Sequence, residues 1–558
     1  MINVRALCVG FGVFMLSACA GAGDFFRGYA KGESAAMQRY NREALSDAEW
    51  GAVAFALGDF GALDTDAMET HATPWKLAAA VLTLQENAAS GAPLSQDTLR
   101  RVMTRFGFLY PQTIANWPAR IAPPRRPGDP PLGLSVGEVR REIPRVSISA
   151  ANLGCASCHS GVSYDARGAP DIGVAWLGAP NTSLDLEAYV QAIYAGFKTY
   201  APSRNKLLEA VKTLFPETSA VEMKSLERFV WPRLEKRMQI LAAQGDRPLP
   251  FVNGAPGLTN GVAALKMQFG LLAGDAHNTQ RGFTAVPDLA DRGFRTSLLY
   301  DGAYFAPGVE DRVIDRGAIT EAHLDGLADV TAFFTVPSMG VSPEKAIAQR
   351  TPARAALRYL ASYRPQRFPG NIDAGAAARG RDLYQRACAS CHGAYDASLS
   401  APKLLTFPNG LYDVGTDATR RNMFDSETAQ SVNRSRYRDA VQARATGKYA
   451  AQILSGLWMS APYLHNGAIP SLRAFFFPEE RPARFLIGGH KLDFESVGIA
   501  HQRAANGDWV YPAGYTPWSR PHMLDTRAVG FSNKGHEAEI AGLNATQKTD
   551  LIEYLKLL

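Results

Sequence analysis

Past the first eighteen residues no run is apolar for long enough to cross a bilayer, which takes about 20 residues in a helix. A helical membrane-spanning protein is thereby excluded. An excess of either charge is missing too: 59 Lys and Arg stand against 53 Asp and Glu, a formal charge of +6. That balance points to no nucleic acid or acidic polymer as a partner. Cysteine and histidine are scarce, 6 and 10 in 558 residues, so any clustering of the two carries information.

Four of the six cysteines do cluster, in two copies of one pentapeptide: Cys155-Ala-Ser-Cys158-His159 and Cys388-Ala-Ser-Cys391-His392. C-x-x-C-H is the attachment signature of c-type haem. Two thiols at this spacing add to the two vinyl groups on one edge of a porphyrin, and the following histidine gives its imidazole to the iron. At this composition one chance copy has odds of roughly one in a thousand, and two by chance can be dismissed. A zinc knuckle, a disulfide pair or a thioredoxin-like pair would leave the repeated histidine unexplained. Two covalently bound c-type haems are therefore expected, with His159 and His392 as proximal ligands; their propionates would offset most of the formal charge.

The remaining two cysteines lie in the leader. Met1 to Ala18 carries Arg5 and then an apolar run from Ala6 to Leu16, built like a signal peptide. The sequence Leu16-Ser-Ala-Cys19 resembles a bacterial lipobox, in which Cys19 is lipidated and becomes the mature N-terminus. A cut after Ala20-Gly-Ala22 fits as well and would give a soluble secreted protein. Either way the expectation is export, to the periplasm or as an outer-membrane lipoprotein, with membrane association through the lipid only. The expected organisation is a leader over 1–18, an N-terminal helical extension with a proline-rich arm (Pro118 to Pro131) over 19–140, a first haem domain over 141–365 and a second over 366–558. The stretch 363–370, Tyr-Arg-Pro-Gln-Arg-Phe-Pro-Gly, reads as the linker between the two. Helical patterns run from Leu184 to Phe197 and from Leu207 to Leu241, the latter expected to break near Pro216 and Pro232.

In the second haem segment a helix pattern over 376–387, with Gly380 and Tyr384, leads into the motif, and Asn544 to Leu558 forms a final helix with Leu551, Tyr554 and Leu555 on one face. This resembles a class I cytochrome c, whose first and last helices cross where a glycine allows close approach. The fold class expected is mainly α, with two such haem domains enlarged by insertions, in the second around 396–450 and 478–530.

The sixth position on each iron decides between a closed electron-transfer haem and one that binds peroxide or dioxygen. The histidines left to fill it are His71, His277, His323, His465, His490, His501, His522 and His536. The stretch from Leu454 to Leu472, LSGLWMSAPYLHNGAIPSL, resembles a hallmark of the bacterial dihaem cytochrome c peroxidase superfamily, which also holds the enzyme that matures methylamine dehydrogenase and the rubber oxygenases. Val414-Gly-Thr-Asp417, Pro478-Glu-Glu-Arg-Pro482 and Asn533-Lys-Gly-His536-Glu resemble the rubber oxygenase branch. The resemblance covers about residues 150–558.

It implies His536 as the distal ligand of haem 2, because Glu479 stands where the peroxidases carry a methionine. His465 takes the position of a family histidine near the propionates, acting through hydrogen bonds rather than on iron. Pro287, Gly293, Phe294 and Tyr300-Asp301-Gly302 resemble a segment whose aromatic relays electrons between the haems; Tyr300 replaces the family's tryptophan, and a packed core tyrosine is the alternative. Ala285 replaces the calcium-binding asparagine of the peroxidases, which puts an interdomain calcium in question. His277 stands at the offset of the peroxidases' removable distal ligand to haem 1, and is otherwise a pocket or surface residue. Glu310 and Glu321 fall in the region of the peroxidases' distal acid. The resemblance thus implies a haem-dependent oxidoreductase, either a peroxidase served by a small redox protein or a dioxygenase acting on a hydrophobic alkene. A dihaem electron-transfer protein with both irons closed is the reading of a different class.

Overall fold

The structure, a computed structural model, describes residues 34–58, 60, 72–126, 128–141 and 144–558; the leader and Cys19 lie outside them. Helix accounts for about 42% and strand for about 15% of the chain. The expectation of a mainly α fold understates the strands, which gather where a helical frame was expected, around the first C-x-x-C-H.

The N-terminal extension packs on the rest of the chain. Helix α1 (Asp47–Leu57) opens with a reciprocal cap, Ser46 and Glu49 each binding the other's backbone N–H. It lies against α2 (Arg350–Ala361), so close that a side chain on Gly51 would meet the Ala355 carbonyl at 1.9 Å. Further on, the short strand Thr73–Pro74 joins the sheet of β1 (Leu134–Arg141) and β2 (Val146–Leu153), an antiparallel pair in register from Leu134↔Leu153 to Arg141↔Val146. Residues well before the first haem motif therefore build the strand that delivers it.

That motif is one helical turn, Cys155–Cys158, between β2 and β3 (Ser160–Tyr164), which pairs with β4 (Pro170–Leu177). Gly133 makes the fit possible: at φ +79° it lets the end of β1 press on the turn, and a Cβ there would sit 1.9 Å from the Ser157 nitrogen. Its carbonyl accepts from Gly154 N at 2.6 Å and from Ser157 Oγ at 2.7 Å.

The second motif leaves a long helix instead. Helix α3 (Ala374–Ala387), capped by Asp373, crosses α4 (Ala545–Leu555), capped by Asn544 and Gln547. Gly380 is the crossing point, where a Cβ would lie 1.9 Å from the Asp550 carbonyl oxygen. Arg379 forks onto Asp550 at 2.9 and 2.7 Å, and Tyr384 packs on Tyr554 with ring centres 5.3 Å apart. The Tyr384 hydroxyl donates to the Gly393 carbonyl at 2.9 Å, tying the helix to the residue after His392.

Two connections differ from expectation. Residues 363–370 are a packed strap, with Tyr363 buried, its hydroxyl donating to Asp288 Oδ2 at 2.9 Å, and Gln366 bonded to both N–H and C=O of Tyr164. The chain does break at Pro216, between the helices Arg204–Leu214 and Ala220–Ser225, but Pro232 does not end its helix: Ala220–Ser225 continues through a π-helical stretch, Leu226–Val230, into Trp231–Ala243, and that wider turn just before the proline is where the regular ladder gives way. Among the described residues no helix is long and apolar enough to cross a membrane.

Candidate functional site

Each motif histidine is aimed by a backbone carbonyl. His159 Nδ1 donates to Pro287 O at 3.1 Å, and His392 Nδ1 donates to Gln452 O at 2.7 Å. Such a bond fixes the tautomer and leaves the Nε2 lone pair for a metal. Both rings are neutral: burial, with the Arg292 charge beside it, drops His159 to about 4, and burial lowers His392. These are the properties that a haem iron requires of a proximal ligand.

The two carbonyls lie on segments bonded to one another. Ala450 N donates to Tyr300 O at 2.7 Å, Arg295 Nη1 to Ala451 O at 2.5 Å and Ser455 Oγ to Asp291 Oδ2 at 2.8 Å. Residues 287–300, which orient His159, and 449–456, which orient His392, thus form one ladder.

Opposite His392 stands His536. Their ring centres are 6.3 Å apart and their planes differ by 28°. Two imidazoles bound through nitrogen at about 2 Å to one metal place their ring centres roughly 6–6.5 Å apart, so the spacing of the pair matches that of two histidines that share an iron. His536 Nδ1 is buried without a partner, and burial brings the ring's pKa down to about 4, so it too is neutral. Its backbone is left-handed, φ +67°, an uncommon state for a residue with a side chain. Neighbouring bonds hold it there: His536 N to Val414 O at 2.8 Å, Ser532 N to Asp417 Oδ2 at 3.1 Å, and Asn466 Nδ2 to Gly530 O and Ser532 O at 3.1 and 3.0 Å. The motif stretches around Asp417, Asn466 and His536 therefore converge on one loop. Among the described residues no imidazole faces His159 in this way.

Beside the segments that orient the two motif histidines lies a polar constellation. His465, 6% exposed, receives no charge at neutral pH, since burial lowers it to about 3. Its Nε2 bonds the Tyr449 hydroxyl at 3.0 Å with the rings 4.3 Å apart, and the Tyr300 ring lies 6.4 Å away. Tyr300 keeps its proton, its phenol pushed up to about 12 by burial against the pull of Arg292 and Arg295. Arg420 and Asp301 form a buried ion pair at 2.6 Å. Arg292 and Arg295 have no such carboxylate: Arg292 Nη2 donates to Asp288 O, its buried Nε has no partner, and Arg295, 1% exposed, binds the carbonyls of Ser297 and Ala451. Asp288 and Asp311 act on them only from a distance; desolvated cations without a contacting carboxylate are costly, and the propionates of a haem are anions that suit them. The residues present fit c-type haem at both motifs.

The structure brings His465, Tyr300, His392 and His536 into this region and leaves other expected residues out of it. His277 sits on a half-buried surface turn, Ala276–Thr279, among Arg247, Glu187, Arg281 and Asp275, and no contact links it to His159. Glu310 is exposed on a loop. Glu321 opens the helix Glu321–Phe333, where an acid suits the N-terminus, and pairs with Arg354 and Arg358 at the surface. Ala285 contributes only its N–H, to His465 O at 2.6 Å. Sequence reasoning missed Tyr449, Arg292 and Asp288. A tyrosine sixteen residues before the histidine of the Tyr-x-His motif was the available signal for Tyr449; nothing in residue identity marks the acceptor carbonyls of Pro287 and Gln452.

A family model described as RoxA-like, cytochrome c-like matches residues 447–486, which contain Tyr449, Gln452, His465 and Asn466. A cytochrome c-like relationship implies a c-type haem and a redox role. Uncharacterized protein y4iM of Sinorhizobium fredii (strain NBRC 101917 / NGR234) is 28% identical over 229 residues, 36% of this chain and 52% of that protein. Uncharacterized protein y4iJ of the same organism is 32% identical over 119 residues, 20% of this chain and 18% of that protein. The chain thus spans about half the length of the first relative and under a fifth of the second.

Proposed function

We propose that the chain is an exported dihaem c-type oxidoreductase, with haem 1 on Cys155, Cys158 and His159 and haem 2 on Cys388, Cys391 and His392, closed by His536. Haem supplies, when bound, an electron-exchange centre at His392 and, at His159, an iron that activates hydrogen peroxide or dioxygen. The observation that carries the reading is the inequality of the two histidines: His536 faces His392 at 6.3 Å, and among the described residues His159 has no facing imidazole.

The chain's own groups divide the remaining work. Pro287 and Gln452 orient the proximal rings and keep their Nδ1 protons in place. Arg292 and Arg295 supply positive charge for propionates, and Tyr449 holds the His465 ring beside Tyr300. Tyr300 fills the ground between the motifs as an aromatic that passes an electron; with its phenol held up to about 12, it must also release a proton when oxidised. Glu310, exposed on its loop, takes no part in this scheme.

Export runs through the leader, with Cys19 as the lipid-bearing residue of a periplasmic or outer-membrane lipoprotein. The external partner is a small redox protein for peroxide or a hydrophobic alkene for dioxygen. The test uses the purified holoprotein: peroxide consumption with a reduced small cytochrome or cupredoxin, and dioxygen uptake with an unsaturated hydrocarbon. Turnover in either assay, abolished by Cys155→Ala/Cys158→Ala, is expected. No turnover in both would leave an electron-transfer protein and sink the enzyme reading.

A further inference from the structure

Arg481 lies outside both C-x-x-C-H motifs, in the stretch Pro478-Glu-Glu-Arg-Pro482, and all five of its N–H donors are engaged around His536. Nε donates to Ala474 O at 3.2 Å; Nη1 donates to Asn533 O at 2.7 Å and to the Glu537 carboxylate; Nη2 donates to Phe475 O at 3.1 Å and Gly535 O at 3.2 Å. The side chain is 5% exposed. Guanidinium carries five donors in a rigid plane, so this is complete saturation.

The acceptors fall into two groups with one common neighbour. Ala474 and Phe475 belong to the short helix Leu472–Phe476, and the Phe475 ring packs 5.1 Å from the His536 ring. Asn533, Gly535 and Glu537 bracket His536 in sequence. Glu537 completes the clamp, its two carboxylate oxygens accepting from Gly535 N at 2.8 and 2.9 Å. Gly535 (φ +133°) and His536 (φ +67°) are the two left-handed residues of the turn. A residue with a Cβ holds that conformation only where its surroundings impose it. A guanidinium fork that joins the loop on both sides of His536 to the wall against its ring is such an imposition.

We propose that Arg481 is the positioning residue that determines whether His536 closes haem 2. The inference rests on the reading of His536 as that haem's distal ligand. Without the fork, the turn relaxes from φ +67° and the imidazole leaves its place opposite His392. Lysine can substitute only in part, having three donors on a flexible stem and no plane.

The experiment compares holoproteins of the parent, His536→Ala, Arg481→Gln, Arg481→Lys and Glu537→Gln. Low-temperature paramagnetic resonance and carbon monoxide difference spectra of the reduced state are read for each haem. In the parent, haem 2 refuses carbon monoxide; in His536→Ala it binds fully. Arg481→Gln should shift the ratio of closed to open haem 2 by about tenfold or more, since charge-assisted bonds are roughly twice as strong as neutral ones. Arg481→Lys should open it to a lesser degree and Glu537→Gln least. Added imidazole should restore the closed spectrum in both His536→Ala and Arg481→Gln, and haem 1 should not change. If His536→Ala opens haem 2 while Arg481→Gln leaves it closed, the clamp is refuted and the ligand assignment stands. If His536→Ala changes nothing, the ligand assignment itself falls. Should Arg481→Gln fail to accumulate with two haems, an unchanged spectrum in Glu537→Gln refutes the clamp, and equal disturbance of both haems does so in any variant.

Discussion

Cys155–Cys158 is a single turn set between an eight-residue strand and a five-residue strand, approached from behind by Gly133. Cys388 ends a fourteen-residue helix pinned across the C-terminal helix at Gly380. After the motif the contrast continues: His392 is met by a second imidazole on a clamped left-handed turn, whereas beside His159 lie Arg292, Asp288 and Tyr363. The local chemistry of the pentapeptide is the same in both, so it settles attachment alone. On the proposed reading, what each iron can do is set by residues brought in from far along the chain, His536 to His392 and Pro287 to His159.

The largest expected effect comes from deleting one motif at a time. Cys155→Ala/Cys158→Ala should remove one haem by mass and abolish turnover, while Cys388→Ala/Cys391→Ala should remove the other and leave a protein that still binds peroxide or carbon monoxide. Equal phenotypes would erase the proposed division of labour. His536→Ala comes next: it should convert the haem 2 signal from low to high spin and leave haem 1 as it was, and an unchanged haem 2 would remove the basis of the contrast.

Gly380→Ala tests the frame rather than the ligands. A methyl 1.9 Å from the Asp550 carbonyl forces the helices apart, at a cost of about 1–3 kcal/mol readable by urea unfolding. The same measurement followed at haem 1 should lag behind haem 2. Coincident loss would show the two regions unfolding as one.

Asp288 distinguishes the surroundings by pH. Burial raises its carboxyl from 3.8 to about 7. A folded pKa above the unfolded one means that stability is fully present below about 4 and is lost as pH rises through about 7. The loss should be on the order of 1–2 kcal/mol for this half-buried group. Asp288→Asn should flatten that slope in a urea titration between about pH 4 and about pH 7, and an unaltered slope would place its origin elsewhere. Smallest of all, Tyr300→Phe keeps the ring and deletes the proton, so interhaem electron transfer should slow by a few-fold and lose its pH dependence; a rate equal to the parent's would make Tyr300 a packing residue.

Much of the second region was legible in advance. Gly380, Tyr384, Leu551 and Tyr554 carry a helical period, and a glycine at a helix crossing has a local signature. His536 was legible only through its resemblance context, because the turn that bears it is assembled from Val414, Asp417, Asn466 and Arg481, which are far apart along the chain. The first region was less legible: β1 to β4 are paired by backbone bonds, with burial that alternates only in part, and residues 34–140 carry no chemistry to announce that they complete this sheet. Offsets within a related segment single out His277 and Glu310; the structure carries Glu310 to an exposed loop and His277 to the half-buried turn Ala276–Thr279. Arg481 looks like one charge in the run Glu479-Glu-Arg, and only its five acceptors, four of them backbone carbonyls, reveal that it faces inward.

The inequality of the two motifs is tested most directly by counting exogenous ligands. Carbon monoxide is titrated into the fully reduced holoprotein and the bound ligand is measured against haem iron, with the motif-deleted proteins assigning the site. One carbon monoxide is expected for two haems, lost with Cys155→Ala/Cys158→Ala and retained with Cys388→Ala/Cys391→Ala. Binding to neither haem, or to both alike, would contradict it.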